Sequence, residues 1–139
     1  MVDDFVDQIP KNEVDIVSCI DALGFILGTA ISQKLNVGLL PIRKGGKLPV
    51  STDKIDFQDY TGLHKQLEIR QDILSVGMRV LIVDEWVETG AQIGASIQLI
   101  ENQGAIVVVI VSIRMDNNEN TRQTRSNYKV MTAWNDGAH

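Results

Sequence analysis

The stretch Val80 to Ile100, VLIVDEWVETGAQIGASIQLI, changes its hydrophobic period across one short polar segment. Val80 to Val83 is an unbroken apolar run and reads as a strand buried on both faces. From Thr89 the pattern becomes helical, because Ile93, Ile97 and Ile100 fall three and four residues apart and so share one face. Thr89 followed three residues later by Gln92 has the form of a capping box, which predicts the helix start there. The turn is then Asp84 to Glu88, with two adjacent carboxylates at the carboxyl end of a strand and backbone N–H groups at the head of a helix. In open α/β sheets that edge is where ligands bind.

Carboxylates accept hydrogen bonds from vicinal hydroxyls, whereas unpaired N–H groups and the helix dipole favour an anion. A sugar phosphate satisfies both. The competing reading is structural: a buried parallel strand ends in an acidic residue that merely caps the next helix, as many strand-turn-helix units do.

A resemblance favours the ligand. VLIVDEWVETGAQ resembles the phosphoribosyl-pyrophosphate (PRPP) motif of the type I phosphoribosyltransferases, in which an apolar run and two acids precede a Thr-Gly phosphate loop. Upstream, DALGFILGTAISQKLNVGLLPIRKGGKLP, Asp21 to Pro49, is similar to the adenine phosphoribosyltransferase pattern of a turn, a helix and a basic Pro-ended segment. LEIRQDILSVGMRVLIVDE from Leu67 matches the same branch. Together these stretches take in most of residues 14 to 113, in the family's order.

At 139 residues the chain is expected to be a single domain, residues 1–139, with one core. Its net charge of −5 and lack of a basic tail argue against a nucleic-acid partner. The single cysteine, Cys19, lies in an apolar run and reads as a small core residue. No run approaches the ~20 apolar residues that span a bilayer, and the acidic N-terminus lacks signal-peptide features, so no membrane partner and a cytoplasmic location are expected.

Met1 to Asn12 is a polar lead-in, either a partial helix or a surface segment. Val14 to Ile20 reads as the first strand. The family's longer N-terminal hood over the purine is expected to be reduced here. After the strand, Ala22, Leu23 and Gly24 occupy the place of the pyrophosphate-binding turn. Leu23 stands where the family commonly has arginine, so a bidentate charged donor is exchanged for none. A helix is predicted over about Gly24 to Leu35, with Leu23, Leu27, Ile31 and Leu35 on one stripe.

Val37 to Ile42 reads as a second strand, followed by Arg43, Lys44 and Lys47 in a Gly-rich, Pro-ended segment. Basic side chains there suit a leaving pyrophosphate, though a solvated turn is the alternative. Val50 to Gln66 shows little apolar periodicity and reads as a long functional loop, where the resemblance implies a flap that closes over PRPP. Leu67 to Ile69 is a short strand, Gly77 a turn, and Gly104 a helix stop. Ala105 to Ile113 is an apolar strand, Asp116 to Asn127 a polar, mobile segment, and Tyr128 to Trp134 an edge strand.

By resemblance, Asp84 and Glu85 hold the ribose hydroxyls of PRPP, and Thr89, Gly90, Ala91 and Gln92 form the 5-phosphate loop. Glu88 departs from the adenine branch, which usually has alanine. A carboxylate about 4 Å from a phosphate costs on the order of 1–4 kcal/mol per unit charge. Glu88 therefore points away or acts as a general base toward the purine, as an aspartate does in the hypoxanthine-guanine branch. Trp86 stands where relatives place an aliphatic residue against the base and is either a stacking surface or a core residue. No metal-ligand pattern is evident; Mg²⁺ is expected to be held mainly by the phosphates of PRPP.

The expectation is an α/β fold with a mainly parallel sheet flanked by helices, like that of the type I phosphoribosyltransferases. The expected protein is a homodimer that transfers phosphoribosyl from PRPP to a nucleobase, with purine favoured. The catalytic residues would be Asp84, Glu85 and Glu88. The alternative is a non-catalytic protein that binds PRPP or a nucleotide in the same pocket.

Overall fold

The computed structural model describes residues 1–10, 12–20, 23–46, 48–59 and 61–134. In chain order its elements are α1 (Val2–Asp7), β1 (Ile16–Ile20), α2 (Gly24–Leu35), β2 (Gly38–Lys44), β3 (Thr52–Gln58), β4 (His64–Arg70), β5 (Arg79–Val87), α3 (Ala91–Asn102), β6 (Ile106–Met115), α4 (Glu119–Asn127) and β7 (Lys129–Thr132). The strands form one sheet in the order β3-β4-β2-β1-β5-β6-β7. β2, β1, β5, β6 and β7 run parallel, and β4 joins β2 antiparallel, so the expected mainly parallel sheet carries an antiparallel hairpin at one side.

The central strands carry long apolar runs, Val80 to Val83 of β5 among them, because both faces are covered. On one face Ile20, Val80 and Ile82 pack with Ile93, Ile97 and Ile100 of α3, which fulfils the predicted stripe. On the other, Val17, Cys19, Leu81 and Val83 pack with Leu27 and Ile31 of α2 and with Phe5 and Ile9 of the N-terminal lead-in. α2 lies so close to β1 that a Cβ on Gly28 would sit 2.7 Å from Cys19 Cβ. Leu23 leaves the predicted stripe: it is 57% exposed at the N-cap of α2.

Other expectations are corrected. Arg43 and Lys44 do not follow the second strand but end it, paired with Glu68 and Leu67 of β4. The loop expected over Val50 to Gln66 is largely the β3–β4 hairpin, whose inward residues Ile55 and Phe57 pack on the core. The segment Asp116 to Asn127, expected to be mobile, is mostly helix, because Asn118 and Thr121 form a capping box that starts α4. The polar stretch beginning at Asp84 is not yet a turn: β5 runs on to Val87 because β6 continues beside it, pairing Trp86 with Arg114 and Val87 with Met115. The predicted edge strand is β7. β7 is only four residues long and carries Lys129, and the opposite edge, β3, carries Asp53, Lys54 and Asp56. Among the described residues no helix is long and apolar enough to cross a membrane.

Candidate active site

At the carboxyl end of β5 a cavity of about 250 Å³ opens between the start of α3 and the β3–β4 hairpin. β5 supplies Asp84 and Trp86, which share a sheet face by the two-residue pleat, and the turn after it supplies Glu88, Thr89 and Gly90. Gln92 and Ile93 of α3 close one side, and Lys44 of β2 with Phe57, Asp59, Lys65 and Gln66 of the hairpin close the other. Of the residues expected in the site, Asp84, Trp86, Glu88, Thr89, Gly90, Gln92 and Lys44 come together here. Glu85, Ala91, Arg43, Leu23 and Gly24 do not line this cavity. Ala22 and Lys47 lie outside the described residues, as does Asp21.

The two adjacent acids diverge for a geometric reason. Because β5 continues through them, their side chains alternate across the sheet, so only Asp84 faces the cavity. Asp84 is 6% exposed. Burial pushes its carboxyl from an ordinary 3.8 up to about 7, the nearby charges of Glu85 and Glu88 add to the rise, and hydrogen bonds from the Gln92 side chain and the Glu85 amide oppose it.

The turn after β5 is built for a tight reversal. Gly90 takes a left-handed conformation (φ 90°) that glycine adopts without strain, and it is the N-cap of α3. The predicted Thr89–Gln92 capping box is therefore absent: Gln92 turns to Asp84, and Thr89 Oγ1 accepts the Ala91 N–H at 3.1 Å. Gln92 and Ile93 in the first turn of α3 line the cavity, so the cavity lies at the helix end whose N–H groups have no intrahelical partner. Asn118 ties the turn to α4 by donating from Nδ2 to the Glu88 carbonyl at 2.7 Å.

Two arrangements escaped sequence reasoning. The first is Glu68 in β4, which is only 1% exposed. Its carboxyl accepts the N–H of Gly46 at 2.9 Å and of Leu48 at 2.7 Å, with the Thr52 hydroxyl at 3.4 Å. Two amides of the basic segment are thus turned onto a carboxyl of the chain itself, while Lys44 lines the cavity. Leu67 and Ile69 marked the strand, but their alternation places Glu68 on the opposite, solvent-facing side and so gave no signal of its burial. The second is the hairpin wall. Asp59 fixes its tip by accepting from the Thr61 amide and hydroxyl and the Leu63 amide, and it pairs with Lys65 at 3.7 Å.

Trp86 is 47% exposed, so the core-packing reading does not hold. Its Nε1 donates to Asp116 Oδ1 at 3.0 Å, and the Arg114 guanidinium lies over its ring.

The chain is similar to known proteins. The family model described as phosphoribosyl transferase domain matches residues 2–139. The adenine phosphoribosyltransferase of Bordetella avium is 39% identical over 113 residues, 81% of this chain and 62% of that protein. That of Cupriavidus necator is 41% identical over 108 residues, 78% of this chain and 56% of that protein. The chain thus spans less than two thirds of the length of these relatives. A crystal structure of adenine phosphoribosyltransferase from Thermoanaerobacter pseudethanolicus superposes with a TM-score of 0.85 at 30% identity, covering 94% of this chain and 76% of that one. The chain belongs to the phosphoribosyl transferase domain family.

Proposed function

We propose that this protein transfers the 5-phosphoribosyl group of PRPP to a nucleobase, an adenine-like purine by preference, with release of pyrophosphate. The observation that carries the reading is the convergence, in one cavity, of a buried carboxyl, a helix head with amides for a phosphate and a lysine from the facing strand. That the relatives are adenine phosphoribosyltransferases supports the choice of base and a role in purine salvage.

In this reading Asp84 accepts hydrogen bonds from the ribose hydroxyls, and Glu85 acts from the neighbouring pleat through its charge. Thr89, Gly90, Ala91 and Gln92 shape the phosphate site around the α3 amides. Lys44, with Arg43 and Lys47, meets the charge that grows on the pyrophosphate as the C1–O bond breaks. The new bond joins the base nitrogen to C1, and the proton released from that nitrogen passes to Glu88, an exposed carboxylate on the cavity rim. Leu23, beside Gly24 and the turn residue Ala22, leaves the pyrophosphate turn to act through its backbone.

Among the described residues no group of three or more His, Cys, Asp or Glu is placed to hold a metal ion. Mg²⁺ fits this site as the substrate's companion, held by PRPP phosphates and water with at most a carboxylate such as Asp84, and it supplies charge neutralisation when bound. We take the protein to act as one domain, as a homodimer and in the cytoplasm.

Calorimetry with PRPP and Mg²⁺, followed by an assay of pyrophosphate release over a panel of bases, tests the proposal. Release with adenine or another purine is expected. PRPP binding without release for any base supports instead a non-catalytic nucleotide-binding protein, a reading that Leu23 in the place of an arginine favours. Failure to bind both PRPP and nucleoside monophosphates rejects both.

A further inference from the structure

Both tryptophans of the chain stack on one arginine. The Arg114 guanidinium carbon lies 5.0 Å from the centre of the Trp86 ring and 5.0 Å from that of Trp134. Arg114 stands opposite Trp86 in the β5–β6 ladder, and its Nε donates to Asp116 Oδ1 at 3.2 Å. The same oxygen accepts the Trp86 indole N–H at 3.0 Å. An exposed indole is ordinarily free to change rotamer, and an exposed ion pair alone restrains little. Here one carboxylate oxygen fixes the indole edge and the guanidinium that covers one face, while a second indole packs against the same guanidinium. Trp86 also lines the cavity, on the same sheet face as Asp84.

We propose that Arg114 and Asp116 are positioning residues that hold Trp86 as a rigid stacking platform for the incoming base. The inference rests on the transferase reading above. With one indole face occupied by the cation, the opposite face is left for a flat heterocycle. The positive charge behind the ring selects an uncharged base over a cationic one. A platform already fixed before binding spares the cost of ordering a large side chain on binding.

Trp134→Phe leaves Trp86 as the sole indole and keeps an aromatic ring beside Arg114, so emission reports on the platform alone. Titration of this variant with AMP is expected to quench Trp86 emission saturably. Arg114→Ala and Asp116→Ala are expected to raise KM for the base about tenfold, the order of a desolvated cation–π contact, with KM for PRPP and the urea midpoint unchanged. Asp116→Asn retains an acceptor for the indole N–H and should restore part of the loss, as should Arg114→Lys. If the wild-type protein releases pyrophosphate with a base while both alanine variants keep its base KM and AMP leaves Trp86 emission unaltered, the platform is overturned and the transferase reading stands. If no base supports release and PRPP does not bind, both are overturned.

Discussion

Gln92, in the first turn of α3, donates a side-chain hydrogen bond to the carboxyl of Asp84, and so links the helix head to the strand end across the turn. The bond favours the ionised carboxyl, but burial outweighs it and the folded chain keeps the proton up to about pH 7. An unfolded aspartate releases it near 4. Between these values the folded state binds more protons than the unfolded one, so the stability contributed by this group is complete below about pH 4 and declines as pH rises to about 7. Asp84→Asn removes that slope. Its urea-derived stability at pH 8 is expected to exceed wild type by an amount on the order of 2–4 kcal/mol, with no gain at pH 4. Ribose hydroxyls need the ionised acceptor, so KM for PRPP should fall as pH rises from about 6 to 8, and Asp84→Asn should lose activity roughly 100-fold. Unfolding and kinetic profiles across pH check both limbs.

Glu68 anchors the basic segment from below. Glu68→Ala removes the acceptor of the Gly46 and Leu48 amides, a cost of about 0.5–1.5 kcal/mol for each bond because water can reach these part-buried donors. A lower urea midpoint is expected together with a raised KM for PRPP, because Lys44 and the residues after it lose their support. Glu68→Gln keeps one carbonyl acceptor and should recover part of the stability. Denaturation and initial-rate kinetics on the two variants distinguish the anchor from a general core defect.

Gly28→Ala places a methyl group 2.7 Å from Cys19 Cβ and should destabilise the fold by about 1–3 kcal/mol, seen as a lower melting temperature. Adding Cys19→Ala is not expected to relieve the clash, because the offending Cβ remains. A double variant restored to wild-type stability would show that the sulfur, 3.4 Å away, sets the fit instead.

Asn118→Ala removes the N-cap of α4 and the tether to the Glu88 carbonyl together. The cap alone contributes about 1 kcal/mol. Faster amide hydrogen exchange over residues 88–90 and 119–122 is expected, at unchanged exchange in β1 and β5. Exchange measured by mass spectrometry reads this directly.

The parts of the fold that were legible in the sequence are those with strong periodicity. Ile93, Ile97 and Ile100 announced α3, and the apolar runs from Val80 and Ala105 announced β5 and β6. What failed was the reading of polar residues as loops. Asp84 and Glu85 remain in a strand because the ladder to β6 continues past them, a tertiary effect that local polarity does not record. α4 has no apolar stripe and is held at its start by Asn118 and Thr121, a signal of two residues. Leu67 and Ile69 announced β4, but Ile55 and Phe57 alternate too briefly among charged neighbours to mark its hairpin partner β3. At the site, residue types and chain order were readable. The parting of Asp84 from Glu85, and the cavity wall given by Phe57, Asp59, Lys65 and Gln66, depend on strand pleat and pairing, which no spacing in the sequence encodes.

The two outer rims of the sheet are guarded by charge: Asp53, Lys54 and Asp56 on β3, and Lys129 on the very short β7. Another copy of the chain would have to strip water from those groups to zip on as an eighth strand. Assembly through helix or loop surfaces escapes that penalty, and the same fencing discourages fibrous stacking when the molecule is crowded.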